Sequence, residues 1–149
     1  MTGEALATLG FALCAGLCGA GSAIGLMFTG SAAAGVLAEE PKKFSKVLIL
    51  VVLPATQGIY GFVLAIMGMG SISVGMDPIV GAKLFASAMP LAITGLISGI
   101  FQGKTAVGGI YAIAKNESLS GKLILFPAMV ETYAILGLVV SILLLGVGA

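Results

Sequence analysis

Arginine, histidine and tryptophan are missing altogether from this 149-residue chain, and charge of either sign is scarce. Charged residues make up 9% of the sequence, against 59% hydrophobic. Soluble domains carry roughly 25% charge, so a water-facing surface cannot be covered. A net charge of +1 with no basic patch excludes nucleic acid as a partner. Cys14 and Cys18 stand one helical turn apart with no histidine to join them, so they read as small packing residues rather than metal ligands. No Gly-x-x-x-x-Gly-Lys-Ser/Thr motif follows a strand, so the chain is not expected to hydrolyse nucleotides or to hold an organic cofactor. Alternating ten-residue segments are also absent, which excludes a membrane β-barrel. What remains is an integral, all-α membrane protein.

The few charges act as punctuation. Glu39, Glu40, Pro41, Lys42, Lys43 and Lys46 form one cluster; Asp77 and Pro78 follow a glycine-rich stretch; Lys115, Asn116, Glu117 and Lys122 form a third. Between them run apolar stretches at about Ala5–Leu37, Val47–Met69, Ile79–Ala114 and Leu123–Gly146. A membrane-spanning helix needs about 20 apolar residues, so four transmembrane helices are predicted. The N-terminal run has no basic flank and exceeds a signal-peptide core, so it is read as the first helix. Lys42, Lys43, Lys46, Lys115 and Lys122 flank the first and third loops, whereas only Lys83 lies near the middle one. The positive-inside bias therefore puts those two loops in the cytoplasm of a cell-membrane protein and both termini outside.

The two halves repeat one another. A shift of 78 pairs Gly21 with Gly99, Gly25 with Gly103, Gly30 with Gly108, Ala34 with Ala112 and Glu39 with Glu117. A shift of 76 pairs Lys46 with Lys122, Thr56 with Thr132, Gly61 with Gly137, Val63 with Val139 and Ile66 with Ile142. The chain thus reads as a duplicated helical hairpin, residues 1–74 and 75–149, with both halves starting on the same side. The first and third helices are rich in glycine, which lets helix backbones approach closely in lipid. The second and fourth are bulky with Leu, Ile and Val, a contrast that suits a closed ring with thin helices inside.

One residue demands a functional account. Glu131 lies inside the fourth apolar stretch, where an ionised carboxylate costs at least about 2.5–3.5 kcal/mol. On the second helix Leu53, Thr56, Gln57 and Tyr60 fall at i, i+3, i+4 and i+7, one stripe with three polar side chains. Pro54 removes a backbone donor there, freeing the Leu50 carbonyl and loosening the helix. Gln102 adds a further uncharged polar group from the third helix. Glu131, Gln57, Gln102 and Thr56 together offer several oxygens to a small hard cation, the ligand chemistry that such ions prefer.

These segments resemble a known family. Leu53-Pro54-Ala55-Thr56-Gln57-Gly58-Ile59-Tyr60-Gly61, Ser98-Gly99-Ile100-Phe101-Gln102-Gly103-Lys104 and Met129-Val130-Glu131-Thr132-Tyr133-Ala134-Ile135-Leu136-Gly137 are similar to segments of the proteolipid rotor-ring subunits of V-type ATPases, above all the bacterial sodium-pumping form. The resemblance spans essentially the whole chain. It implies a homo-oligomeric ring turning in the lipid against a stator subunit that supplies a cationic residue, with central-stalk subunits on the cytoplasmic side and a separate head hydrolysing ATP. It further implies that Na⁺ is held by the Glu131 carboxylate, the Thr56 hydroxyl, the Gln57 and Gln102 amides and the Leu53 carbonyl, and that Tyr60 donates to Glu131. A rotor carrying protons instead, or a small four-helix cation- or proton-coupled secondary transporter, are the alternatives. The absence of Trp for a drug pocket and the paired glutamines weigh against the transporter. Lys104 is expected to snorkel towards the cytoplasmic interface.

Overall fold

The computed structural model describes residues 1–148; Ala149, the last residue of the second predicted hairpin, lies outside them. It contains four apolar helical segments long enough to cross a membrane, Gly3–Glu39, Pro41–Met69, Pro78–Lys115 and Glu117–Val147. The first and third are continuous helices, α1 (Gly3–Glu39) and α4 (Pro78–Lys115). At 1.5 Å per residue each is roughly 55 Å long, so both project beyond a hydrocarbon core of about 30 Å. The second segment is divided into α2 (Phe44–Val52) and α3 (Thr56–Met69) by a tight 3₁₀ turn at Leu53–Ala55. The fourth consists of a short α5 (Ser120–Leu123) and α6 (Leu125–Gly148).

Proline explains the break in the second segment: Pro54 has no N–H to offer the Leu50 carbonyl, and the helix loosens there as expected. The neighbouring Val51 carbonyl accepts the Thr29 hydroxyl of α1 at 2.9 Å. The turn also places the Leu53 carbonyl against the backbone N–H of Thr56, three residues on. The stripe predicted on one continuous helix is therefore assembled across a change of helix type.

Glycines divide into two sets by face. Cβ atoms added to Gly99 and Gly103 would lie 2.7 Å from the Gly21 carbonyl carbon and 2.5 Å from the Gly25 Cα. Here α1 and α4 touch backbone to backbone, the close approach that small residues permit in lipid. Gly16, Gly30, Gly35 and Gly108 meet nothing within 4 Å and lie off that contact. α1 runs along α4 for most of its length, while α3 packs on α1 and α6 packs on α4. Large apolar residues of α3 and α6, among them Ile59, Phe62, Ile66, Leu136 and Leu143, are exposed, as a lipid-facing side requires.

Two apolar cores result. One gathers Phe11, Cys14, Cys18, Leu64, Leu84 and Leu91; the other gathers Val36, Val47, Leu50, Ala106, Ile110 and Ile113. The cysteines are thus buried packing residues, and the Cys18 thiol reaches the Leu91 carbonyl at 3.4 Å. Polar ties close both ends. Gly75, in the left-handed region at φ +79°, donates its N–H to the Glu4 carboxylate. At the other end the buried Lys43 ammonium donates to Glu40 Oε1 at 2.7 Å and to the Ala114 carbonyl at 2.5 Å, joining the first loop to the end of α4. Lys104 lies against aromatic rings. Its ammonium sits 5.6 Å from the Phe28 ring centre and 5.5 Å from that of Phe101, one turn back along α4, as cation–π contacts.

Candidate functional site

Between the two apolar cores α3, α4 and α6 bring polar side chains together. Tyr60 Oη donates to Glu131 Oε1 at 2.6 Å, and Gln102 Nε2 donates to Glu131 Oε2 at 3.1 Å. Gln102 Nε2 also donates to the Pro127 carbonyl at 3.2 Å. Gln57 Nε2 donates to Gln102 Oε1 at 2.7 Å and to Ser98 Oγ at 3.2 Å, and Ser98 in turn donates to the Val130 carbonyl at 3.0 Å. Gln57 and Gln102 are fully buried, whereas Glu131 is partly exposed, so the carboxylate stands at the outer edge of the network.

The directions of these bonds are forced. Pro127 O and Glu131 Oε2 only accept, so the Gln102 NH₂ must face them and its oxygen must face Gln57. The Gln57 NH₂ then turns towards Gln102, which leaves Gln57 Oε1 at the end of the chain. Among the described residues, Gln57 Oε1 is the buried side-chain polar atom with no hydrogen-bond partner. An orphaned buried acceptor costs about 1–3 kcal/mol and calls for an explanation.

The sequence-predicted residues therefore fall into two groups. Glu131, Tyr60, Gln102 and Gln57 form one connected network. Thr56 and Leu53 make a separate pair, in which the Thr56 hydroxyl donates to the Leu53 carbonyl at 3.1 Å. Sequence reasoning missed Ser98, although it lies one turn before Gln102 on the same face of α4.

The arrangement is that of a multi-pass helical membrane protein with one carboxyl group in a polar layer between its apolar cores. The family profile of the ATP synthase C subunit matches this chain twice, over residues 9–68 and 85–144, and the chain belongs to that family. It is 46% identical over 142 residues to the V-type sodium ATPase subunit K of Enterococcus hirae, covering 95% of this chain and 91% of that one. It is 40% identical over 140 residues to the A-type ATP synthase subunit K of Methanocaldococcus jannaschii, covering 94% of this chain and 61% of the relative. A subunit of the V-type proton ATPase of Saccharomyces cerevisiae is 29% identical over 148 residues, covering 94% and 70% of the two chains. The chain is thus a multi-pass proteolipid subunit of the V/A-type ATPase kind.

Proposed function

We propose that this protein carries Na⁺ through the membrane as part of a rotating homo-oligomeric ring, with hairpins 1–74 and 75–149 as the two units of each protomer. The observation that carries the reading is the unpartnered Gln57 oxygen. A proton on Glu131 does not satisfy it, whereas a cation held between Gln57 Oε1 and the carboxylate does. Glu131 supplies the balancing charge. Gln57, Gln102, the Thr56 hydroxyl and the Leu53 carbonyl supply neutral oxygens of the kind hard cations prefer. Tyr60 holds the carboxylate in place.

Charge compensation gives the mechanism. Glu131 with Na⁺ is net neutral and crosses lipid at tolerable cost; a bare carboxylate is retained where water or a stator cation meets it. ATP-driven rotation then moves loaded sites through lipid and forces exchange at the stator. Each four-helix protomer moves one ion per revolution. Central-stalk subunits join the ring at the cytoplasmic loops, and the termini lie on the opposite side. The 46% identity to a sodium ATPase subunit supports the choice of ion.

ATP-driven ²²Na⁺ uptake into vesicles holding the whole complex, with a protonophore present, tests this. Uptake is expected to persist. Its abolition would make sodium movement secondary to a proton gradient and leave a proton-carrying rotor.

A further inference from the structure

We propose that Ser98 is a positioning residue that sets the ion preference of the site by fixing the Gln57 amide; this rests on the sodium reading above. Both hydrogens of the Gln57 NH₂ are used, one on Gln102 Oε1 at 2.7 Å and the other on Ser98 Oγ at 3.2 Å. The Ser98 hydroxyl hydrogen is committed to the Val130 carbonyl at 3.0 Å, so the oxygen's lone pairs are what Gln57 meets. A hydroxyl free to rotate would accept or donate and would tolerate either amide orientation. Anchored on Val130, Ser98 favours the orientation that turns Gln57 Oε1 away from it.

The arrangement has a second consequence. Val130 precedes Glu131 in the chain, so Ser98 ties the backbone beside the carboxylate on α6 to the neutral ligand on α3. Ser98 is 3% exposed and Gln57 is fully enclosed, so water cannot substitute readily for the lost partner. Removing the hydroxyl leaves the Gln57 amide held by Gln102 alone, so it keeps its direction but swings more freely and presents Oε1 to the cation less firmly. Na⁺ then binds more weakly, while a proton, which needs only the carboxylate, is unaffected.

The test uses membranes carrying the whole complex and dicyclohexylcarbodiimide, which reacts with a protonated carboxyl group. The readout is the Na⁺ concentration that halves the rate of Glu131 labelling at constant pH. Ser98→Ala is expected to raise that concentration roughly 3- to 10-fold, the range for one neutral hydrogen bond. The labelling rate without Na⁺, and its pH profile, should match the parent, because Ser98 does not touch Glu131. Ser98→Thr keeps the hydroxyl and is expected to behave as the parent; Ser98→Cys, with its weak S–H, serves as the deletion if the alanine ring does not assemble.

Protection of parent and deletion variant at the same Na⁺ concentration would overturn the role of Ser98 and leave the sodium site standing. A changed pH profile without Na⁺ would overturn it in favour of a general structural role. A parent that Na⁺ does not protect would overturn the sodium reading and this assignment with it.

Discussion

In the first hairpin the Thr56 hydroxyl donates to the Leu53 carbonyl at 3.1 Å; in the second, Thr132 donates to the Met129 carbonyl at 2.7 Å. The two pairs are related by the shift of 76 that aligns the second and fourth helices. The same shift places Ala55 opposite Glu131, Tyr133 opposite Gln57 and Leu136 opposite Tyr60. The shift of 78 places Ile24 opposite Gln102 and Ala20 opposite Ser98. The threonine–carbonyl element is therefore a property of the repeat, present twice, and is not evidence of a site by itself. The polar network occurs once, because it takes Gln57 and Tyr60 from one copy and Ser98, Gln102 and Glu131 from the other. Duplication kept the scaffold and divided the polar network between the halves.

Moving the carboxylate is the most severe way to break this comparison. Glu131→Gln is expected to reduce ATP-driven ²²Na⁺ uptake to background, since no other group balances the cation. Adding Ala55→Glu to that variant should not restore uptake, because Ile24 and Ala20 supply no amide or hydroxyl there. Recovery would mean that the halves are interchangeable. Chemical labelling makes the same point without mutation. Dicyclohexylcarbodiimide should modify Glu131 and leave Glu39, Glu40 and Glu117 untouched in a peptide map. If proton and Na⁺ compete for this carboxylate, as proposed, lower pH should speed the reaction and added Na⁺ should slow it.

The two glycine sets give the next effect. Gly99→Val drives a side chain into the Gly21 backbone and should destabilise the chain by about 1–3 kcal/mol or more, as overpacking does. Gly35→Val meets open space within the chain and should leave its unfolding in detergent unchanged. Equal losses would show that α1 and α4 do not pack as described.

Smaller effects separate the ligands. Gln102→Ala and Tyr60→Phe each remove a donor to the carboxylate and should weaken Na⁺ protection about 10- to 100-fold, the range for a hydrogen bond to a charged group. Smallest is the contrast between the two threonines. Thr56→Val should weaken protection a few-fold, whereas Thr132→Val, on an exposed face of α6, should change nothing. A measurable effect at Thr132 would imply a second site built by the repeat.

Much of this molecule was legible from composition and spacing. Scarce charge confined the chain to a membrane, because the surface it must cover is lipid. The charge clusters marked the loops, so Ala5–Leu37 and Ile79–Ala114 anticipated α1 and α4 to within a few residues. Glu131 declared itself by the cost of an acid in an apolar run. The partners were less legible. Spacing put Thr56, Gln57 and Tyr60 on one stripe of α3, but the turn at Leu53–Ala55 takes Leu53 off that helix, and a periodicity argument says nothing of Gln102 and Glu131 on other helices. The Lys104 ammonium lies over aromatic rings because Phe28 of α1 is brought against α4, a neighbour that no local pattern reveals.

The sequence by itself determined that there are four spanning helices in two related pairs and that one acid must be compensated among them. These depend on hydrophobic free energy and chain length, both of which are additive along the chain. Tertiary structure alone decided which carbonyl beside the Pro54 turn receives the Thr29 hydroxyl, which glycines meet a backbone and which face open space, and which way each amide points. Those outcomes depend on donors and acceptors arriving from different helices. Val51 finds Thr29, Gln102 finds Pro127, and the sequence of forced choices ends at Gln57 Oε1, an oxygen whose lack of a partner appears only when α3, α4 and α6 are in place.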